Sequence, residues 1–410
     1  MARRKGSERK KPAAWLYLPL RWLCLLAGKL IFGLKVTGQD ALPESGPVLL
    51  LSSHEGMTDF ILLIAALKKR RVQFVATERQ FRNPKLHWAY VRLGMIPKIQ
   101  FHTDPRCVMG ILRTLKNGGT VGIFPAGQTS MCGVPGAVSP AIAHLVKRCG
   151  ATVCTAGLRG GFLTYPRFAG RFYRGKTEVH LERLYTPEQM KTVSEDEIFR
   201  TLTEKLDYDD YAWQESGHVR FRGGKRADGM DKILFRCPDC GADGTVRAQG
   251  NRIVCQNCGS AAAVGEDMHL HPEKPDSRFF TTLRDWYRWQ EDILLKNLTA
   301  GENALALNVR IQTFDEDAFA YTDAGEGVLR LDRETLRICG TVHGQETELS
   351  VSHDRLPGLT GDPREFLEIY HDGLGILRCR PGDPAEGWKI TAVKAAQERL
   401  SRRRGEGLCH

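Results

Sequence analysis

The chain has 410 residues, which is too many for one compact domain at about 100–200 residues each. Hydrophobic residues make up 42% and charged residues 26% of the chain, a globular composition that excludes a wholly disordered or collagen-like protein. A mean hydropathy of −0.32 excludes a protein with many membrane-spanning helices. The 59 Lys and Arg residues outnumber the 48 Asp and Glu residues, and the net charge of +11 favours an anionic partner such as nucleic acid, anionic lipid or a CoA-like substrate.

The amino terminus combines a basic tail with an apolar segment. The tail, residues 1–12, holds nearly half of the net charge and is either simply solvated or attracted to anionic lipid. The segment 13–35 is apolar and aromatic, but Arg21 and Lys29 interrupt it. A spanning helix needs about 20 consecutive apolar residues, and a secretory signal needs an uninterrupted apolar core. Both are therefore disfavoured.

We expect segment 13–35 to form one or two amphipathic helices that lie in the membrane surface, bent or restarted at Pro19. Trp15, Tyr17 and Trp22 would then lie at headgroup depth. The alternative is an apolar helix that packs on the protein's own core. Most of the cysteines are scattered without the spacing of a disulfide framework, which is typical of a reducing compartment. The expected location is peripheral, on the cytoplasmic face of a membrane.

Strand-like and helix-like runs alternate along residues 36–230. The predicted strands occupy 47–53, 72–77, 120–127, 151–160 and 177–185, and the predicted helices occupy 59–69, 107–119, 139–150 and 194–206. Strands separated by helices of about ten residues predict βαβ units. The expected fold class is therefore α/β with a mainly parallel sheet.

Two residues able to move a proton follow the first predicted strand of this domain. His54 and Asp59 are five positions apart, a spacing that separates them by about 140° on a regular helix. If they interact, His54 must lie on the turn and Asp59 in the first helical turn, with Gly56 supplying unusual backbone angles. The imidazole of such a pair can take a proton from a hydroxyl while the carboxylate orients it. By itself, this spacing more often marks a surface histidine beside a helix cap.

The motifs that surround this pair, in their order and spacing, resemble the lysophospholipid acyltransferase family, which includes 1-acyl-glycerol-3-phosphate acyltransferases. The resemblance covers about 14–230. That family carries His-x4-Asp after its first strand, where this chain has His54 and Asp59. Its three further blocks resemble residues 74–98, 124–130 (FPAGQTS) and 152–158.

The resemblance implies a reaction as well as a fold. His54, oriented by Asp59, would deprotonate a hydroxyl of a lysophospholipid or glycerol phosphate. The hydroxyl would then attack the thioester of acyl-CoA or an acyl carrier protein, the co-substrate. The candidate substrate-binding residues are Gly94, Lys98, Phe124, Pro125, Gly127, Thr129 and Arg159.

The chain departs from the family pattern at four positions. Ala126 stands where the family has Glu, Thr129 and Gln100 where it has Arg, and Thr155 where it has Pro. A charge-assisted contact contributes about 1.5–3 kcal/mol, so phosphate recognition is weakened unless Arg92, Lys98 or Arg159 substitutes. Two interpretations remain: an acyltransferase with an altered acceptor, or a catalytically weakened relative that acts as a membrane-binding scaffold.

Four cysteines form two Cys-x2-Cys turns, Cys237 with Cys240 and Cys255 with Cys258. A two-residue gap lets each turn supply two thiolates to a tetrahedral Zn²⁺, and four thiolates close the shell. Together with the predicted hairpin at 245–254, the pattern indicates a zinc ribbon over 231–265 with a structural zinc ion. An iron centre or unligated thiols are the alternatives.

A zinc ribbon in a basic chain also raises a nucleic-acid-binding protein as a competing class. The ribbon is only mildly basic and lacks interleaved aromatic residues, which disfavours this class. A connector follows at 266–300. Residues 301–410 show short alternating runs closed by a helix at 387–404, a pattern that suggests a β-rich domain resembling the pleckstrin-homology type.

Overall fold

The computed structural model describes residues 11–300, 305–315, 320–356, 358–371 and 373–406. The chain divides into two compact units, Met1–Gly223 and Gly224–His410. Residues 1–10 of the predicted basic tail lie outside the described residues.

The first unit is built on a seven-stranded sheet within the described residues. Its strands are β1 (Lys35–Thr37), β2 (Val48–Ser52), β3 (Val72–Thr77), β4 (Ile96–Lys98), β5 (Thr120–Ile123), β6 (Thr152–Arg159) and β7 (Glu178–Tyr185). They lie in the order β1-β7-β6-β2-β5-β3-β4, and every neighbouring pair is parallel except β6 with β7. The predicted α/β class with a mainly parallel sheet is confirmed.

Helices cover both faces of this sheet. They are α1 (Ala14–Leu30), α2 (Asp59–Ala66), α3 (Glu78–Phe81), α4 (Pro84–Arg92), α5 (Pro105–Lys116), α6 (Ala141–Arg148), α7 (Gly161–Thr164), α8 (Glu195–Lys205) and α9 (Asp210–Gly217). One apolar core contains residues of α1 and α2, and the other contains residues of α5, α6 and α8. Strand β2 is buried along its whole length, as expected for a central strand covered on both sides.

The four helices and five strands predicted for the α/β region are all present. The strand predicted over 120–127 ends at Ile123, because the next residues form a turn in which the N–H of Gly127 donates to the carbonyl of Phe124 at 2.9 Å. Among the elements that the prediction missed, β1, β4, α3 and α7 have three or four residues and give little periodic signal. The helices α4 and α9, of 9 and 8 residues, were also missed.

Helix α1 differs from its prediction in two respects. It is continuous through Pro19 rather than restarted there. The placement of Tyr17 at headgroup depth is wrong, because its ring is buried and its hydroxyl accepts the N–H of Val72 at 3.1 Å. Trp15 and Trp22 are exposed, at 60% and 62%. One face of α1 therefore packs on the protein's own core, as the alternative predicted, while the opposite face is apolar and open to solvent.

The second unit begins with a four-stranded antiparallel sheet and a helix. The strands are β8 (Val246–Gln249), β9 (Arg252–Cys255), β10 (Ala261–Val264) and β11 (Leu270–Pro272), and the helix is α10 (Leu283–Thr299). Strands β8 and β9 are the hairpin predicted between the two cysteine turns.

A seven-stranded antiparallel sheet follows within the described part of the carboxy-terminal region. Its strands are β12 (Leu305–Asp315), β13 (Ala320–Leu331), β14 (Thr335–Val342), β15 (Gln345–Ser352), β16 (Thr360–Asp362), β17 (Phe366–His371) and β18 (Gly375–Pro381). The order is β15-β14-β13-β12-β18-β17-β16, and the helix α11 (Gly387–Glu406) packs on the core of this sheet. The predicted β-rich region closed by a helix is confirmed.

The topology of the first sheet brings three loops to one edge. Strand β2 lies between β5 and β6 and is parallel to both. The carboxyl ends of parallel strands meet at the same edge, where ligands bind in open α/β sheets. The loop after β2 with His54, the loop after β5 with Phe124 and the turn after β6 at Gly160 therefore lie side by side.

Candidate functional site

His54 and Asp59 form a direct pair at this edge. Nδ1 of His54 lies 2.7 Å from a carboxylate oxygen of Asp59. His54 lies on the loop after β2 and Asp59 is the first residue of α2, which is the placement that the spacing required. The His54 side chain is 22% exposed and that of Asp59 is fully buried. A neutral imidazole that donates its Nδ1–H to Asp59 has a free lone pair on Nε2, which is able to act as a base.

The carboxylate of Asp59 is held on three sides. Besides His54, it accepts the backbone N–H of Glu55 at 2.7 Å and that of Gly56 at 3.1 Å. Burial raises the pKa of Asp59, while the hydrogen bond and charge of His54, followed by the two N–H groups, lower it. Asp59 is therefore oriented by its own loop before any substrate binds.

Gly56 is needed for a different reason than predicted. Its φ angle lies outside the left-handed region that favours glycine. A Cβ atom at Gly56 would instead lie 2.3 Å from the carbonyl oxygen of Gly161, so a side chain there would collide with the turn after β6. The requirement is close packing of two backbone segments.

Phe124 stacks on the imidazole of His54. The ring centroids are 4.1 Å apart at an interplanar angle of 21°, and Phe74 stacks on the far side of Phe124 at 5.9 Å. The carbonyl of His54 accepts the N–H of Ser130 at 3.0 Å and the hydroxyl of Tyr208 at 3.1 Å. The loop after β5 thus fixes both the ring and the backbone of His54.

The other residues predicted in this loop are built into its turn. Gly127 has a φ of 71°, and its carbonyl accepts a hydrogen bond from the side-chain amide of Gln100. Thr129 is buried, and Pro125 is half-buried. Gln100, where the resembled family has Arg, therefore braces the loop.

Three further predicted substrate-binding residues make hydrogen bonds within the protein. Gly94 has a φ of 65° just past α4, and its carbonyl accepts from the side chain of Gln73 at 3.0 Å. Lys98 donates to the carbonyl of His102 at 3.2 Å. Arg159 donates to the carbonyls of Leu158 at 2.6 Å and Asp207 at 3.3 Å. The structure places no direct contact between these three residues and His54.

Two buried carboxyl groups near the pair were missed by the sequence analysis. Asp210, the first residue of α9, accepts the N–H groups of Gly160 at 2.8 Å, Phe162 at 2.9 Å and Leu163 at 3.4 Å. Glu55 lies next to His54, and one oxygen of its carboxyl group accepts the N–H of Gly161 at 3.0 Å. A carboxyl group beside the motif histidine was a visible signal for Glu55, whereas Asp210 lies in an acidic run typical of a helix start.

In the second unit the four predicted cysteines converge. Their Sγ atoms all lie within 4.8 Å of one another. Cys237 and Cys258 are 3.8 Å apart and Cys240 and Cys255 are 3.7 Å apart, measured between the sulfur atoms. Zn–S bonds of about 2.3 Å in a tetrahedron separate sulfur atoms by about 3.8 Å. These four thiols could hold a metal ion, and their spacing fits Zn²⁺.

The turns that carry these cysteines have the same backbone form. Gly241 and Gly259, which directly follow the two Cys-x2-Cys turns, both have a φ of 73°, so each turn needs a residue that tolerates the left-handed region. Each glycine N–H donates at 2.9 Å to the carbonyl of the first cysteine of its turn. These two glycines therefore permit the tight turns.

Comparison with known proteins supports the resemblance to acyltransferases that was predicted for the first unit. A family model described as Acyltransferase matches residues 33–159. The chain is also 27% identical over 103 residues to a 1-acyl-sn-glycerol-3-phosphate acyltransferase of Bacillus subtilis (strain 168), a match that covers 25% of this chain and 52% of the relative.

The first unit therefore contains an acyltransferase-like segment over residues 33–159. The predicted recognition is confirmed. The acyltransferase domain so defined contains His54, Asp59 and Phe124, whereas Asp210 and the four cysteines lie beyond the matched residues. The chain spans about half the length of the curated relative it matches.

Two solved structures complete the comparison. The 1-acyl-sn-glycerophosphate (LPA) acyltransferase PlsC from Thermotoga maritima is 18% identical with a TM-score of 0.42, and the match covers 47% of this chain and 78% of that chain. The Ran binding domain of the nuclear complex component Nup2 from Ashbya gossypii is 20% identical with a TM-score of 0.20, and the match covers 24% of this chain and 97% of that chain.

Proposed function

We propose that the protein is an O-acyltransferase that moves a fatty acyl group from a thioester donor to a hydroxyl of a lysophospholipid or glycerol phosphate. The observation that carries the proposal is the His54–Asp59 pair, 2.7 Å apart at the edge of an acyltransferase-family sheet. The fatty acyl donor in this proposal is acyl-CoA or an acyl carrier protein.

The proposed reaction begins with proton transfer. Nε2 of His54 takes the proton of the acceptor hydroxyl as its oxygen attacks the thioester carbonyl. Asp59 stabilises the imidazolium that forms and keeps its Nδ1–H directed at the carboxylate. When the tetrahedral intermediate breaks its C–S bond, the thiol leaves with the proton from His54, so the histidine returns to its starting form.

The hydrogen bonds that the basic residues already make affect how they could bind the phosphate of the acceptor. Arg159 and Lys98, which could have replaced the missing motif charges, already donate to backbone carbonyls. Gln100, Ala126 and Thr129 leave the loop after β5 without the charged side chains of the family pattern. We therefore favour an acceptor whose phosphate contributes less to binding than in the resembled family.

An acyl-transfer assay of the full-length protein tests the proposal. Acyl-CoA and acyl carrier protein donors are tested with glycerol 3-phosphate and a panel of lysophospholipids. His54→Ala should lower kcat by about 10²–10⁴-fold. His144→Ala is the matched control, because His144 forms an exposed pair with Glu195 at 3.1 Å and should keep full activity.

The outcomes of that assay separate the alternatives. Turnover that survives in His54→Ala contradicts the base assignment. A wild-type protein that transfers no acyl group to any acceptor contradicts the enzyme proposal and supports the weakened relative.

We also propose that this unit binds anionic membrane surfaces through the exposed face of α1. Trp22 and Leu30 are 62% and 60% exposed there. Trp15 stacks at 6.5 Å on Trp88 of α4, which extends the apolar surface. Exposed apolar patches of this kind mark interaction sites, and interfacial helices carry Trp and Leu on the buried face. No helix among the described residues is long and apolar enough to cross a bilayer.

Vesicle binding tests the membrane proposal. Trp22→Ser should weaken sedimentation with vesicles that contain anionic lipid, and raising the salt concentration should weaken wild-type binding. Met109→Ser is the control, since Met109 is 56% exposed but lies on α5, which packs on the opposite face of the sheet. Equal binding by wild type and Trp22→Ser would contradict the proposal. The membrane proposal also includes a peripheral position on the cytoplasmic face of a membrane.

We further propose that Cys237, Cys240, Cys255 and Cys258 hold one structural Zn²⁺. The convergence of the four Sγ atoms supports this proposal. Because all four positions of the tetrahedron are filled by protein, the ion would stabilise the fold and take no part in the acyl transfer.

A further inference from the structure

Three carboxyl groups are buried together beneath the His54 loop. The side chains of Glu55, Asp59 and Asp210 are each 0% exposed. They come from three places: the loop after β2, the start of α2 and the start of α9. Two of them anchor the same turn after β6, because Glu55 accepts the N–H of Gly161 while Asp210 accepts the N–H groups on both sides of it.

The three groups are not equally well stabilised as anions. Asp59 and Asp210 each accept hydrogen bonds from three donors, described above. Among the contacts that the structure describes, Glu55 accepts one backbone N–H, from Gly161 at 3.0 Å, and one hydroxyl, from Ser53 at the long distance of 3.4 Å. Glu55 is therefore the member of the cluster with the weakest support for a negative charge.

Like charges buried together cannot all ionise, and the proton stays where the anion is least stabilised. We propose that Glu55 keeps its proton at neutral pH and acts as a positioning residue, a neutral carboxyl group that ties the turn after β6 to the loop that carries His54. Its neutral state spares Asp59 a buried negative neighbour, so that Asp59 remains the charged partner of His54.

The electrostatic surroundings agree with this assignment. Burial raises the pKa of Glu55 well above its ordinary value, and the charges of Asp210 and Asp59 raise it further. Arg159 on β6 acts in the opposite direction. Burial also raises the pKa of Asp210 to about 6, while the three N–H groups and Arg159 lower it, so Asp210 has more support for its negative charge than Glu55 has. Two further titratable groups face the cluster: His54, paired with Asp59, and Tyr208, before α9, whose pKa burial raises.

The absence of a side chain at Gly161 lets the carboxyl groups of Glu55 and Asp59 lie close to the turn after β6. A Cβ atom at Gly161 would lie 2.9 Å from an oxygen of Glu55 and 3.0 Å from an oxygen of Asp59. The N–H of Met57 donates to the carbonyl of Tyr165 at 3.0 Å, a second link between the same two segments. Loss of the Glu55 hydrogen bond should therefore loosen the His54 loop rather than remove a reacting group.

The protonation state is tested by infrared spectroscopy of the full-length protein at about pH 7–8, above the pKa of Asp210. Glu55→Gln should remove a protonated-carboxyl carbonyl band that wild type shows. Glu204→Gln, an exposed residue of α8 in the same unit, should leave the band in place. A wild-type spectrum without such a band overturns the proposal. Titration of the wild-type band gives the same decision if the glutamine variant does not fold.

Thermal stability gives an independent measure with a defined sign. The unfolded chain releases the Glu55 proton near pH 4.3, whereas the folded protein retains it to higher pH. Folding therefore takes up a proton, and the stability of wild type falls as pH rises through this window. The Tm of Glu55→Gln minus that of wild type should increase from about pH 4 to pH 7. The corresponding difference between Glu204→Gln and wild type should not change with pH. A difference that does not change with pH contradicts a neutral Glu55.

The kinetic consequence rests on the proposed acyl transfer. Glu55→Gln should keep a kcat close to that of wild type at neutral pH, because the amide oxygen still accepts the Gly161 N–H. Glu55→Ala should lower kcat about 10–100-fold with little change in KM. A glutamine variant as impaired as alanine contradicts the proposal. If wild type transfers no acyl group, the proposed function fails, while the infrared and Tm results still decide the state of Glu55.

Discussion

The loop that carries His54 and the two turns that carry the four cysteines are both short and contain glycine, yet different forces hold them. The His54 loop is held by segments far away in sequence, among them Phe124, Ser130 and Gly161. The cysteine turns lie within 22 residues, from Cys237 to Cys258, and each repeats the same hydrogen bond between a glycine and a cysteine. The first arrangement depends on the packing of a whole domain, and the second, with the proposed zinc ion bound, on a local chelate.

This difference determines how each site should respond to change. A chelate loses its function when one ligand is lost, since the free energy of metal binding is also its folding free energy. A packed loop should instead respond in steps, according to how many of its supports are removed. The following predictions test the comparison from the largest expected effect to the smallest.

The largest effect is expected from Cys258→Ser. Structural zinc sites of this kind bind with about 10–16 kcal/mol of apparent free energy, so the variant should lose one zinc ion per chain and the ordered structure around 237–258. Metal analysis and limited proteolysis measure both. Cys339→Ser changes an exposed cysteine outside the cluster and should retain the ion. A fully zinc-loaded Cys258→Ser protein would show that the site is not a four-thiolate chelate.

Asp59→Asn should have the next largest effect, on catalysis. The amide can donate to Nδ1 and favours the wrong imidazole tautomer, so kcat should fall by about 10²–10⁴-fold while KM changes little. Steady-state kinetics measures this, with Glu195→Gln, the partner of exposed His144, as the control. Unchanged kcat in Asp59→Asn would mean that the carboxylate does not orient the base.

Gly56→Ala should have an intermediate effect on stability. Its Cβ would meet the carbonyl of Gly161 at 2.3 Å, and overpacking of this kind costs about 1–3 kcal/mol of unfolding free energy. Denaturant unfolding measures the loss. Gly157→Ala in β6 is the matched control, because a Cβ there meets no atom within 4 Å. Equal stability of the two variants would show that the backbone approach is not a constraint.

Phe124→Leu should have the smallest effect. It removes the stacked ring but keeps an apolar side chain, and a stacked aromatic pair contributes about 0.5–1.5 kcal/mol. That range corresponds to about a 2–10-fold fall in kcat if the ring acts only by orienting His54. A loss as large as that of His54→Ala would give Phe124 a larger role than orientation.

Much of the first unit could be predicted because its strands and helices carry strong local signals. The continuous apolar run of β2 and the Ser194 cap of α8, which accepts the N–H of Glu197 at 3.1 Å, are examples. The short elements α3, α7 and β4 escaped prediction because three or four residues hold too little periodicity. The sequence indicated where His54 and Asp59 must lie if they interact, but it could not establish the contact, since its geometry depends on the loop between them.

The sequence alone determined the order of the elements, the spacing of the proton-transfer pair and the four thiol ligands, because these follow from local periodicity and from distances of a few residues. The tertiary structure decided which side chains are buried together. It placed Tyr17 in the core, stacked Phe124 on His54 and brought Asp210 to the same turn as Glu55. Burial and proton affinity depend on contacts between residues from 50 to 106 positions apart, and no local pattern in the sequence encodes such contacts.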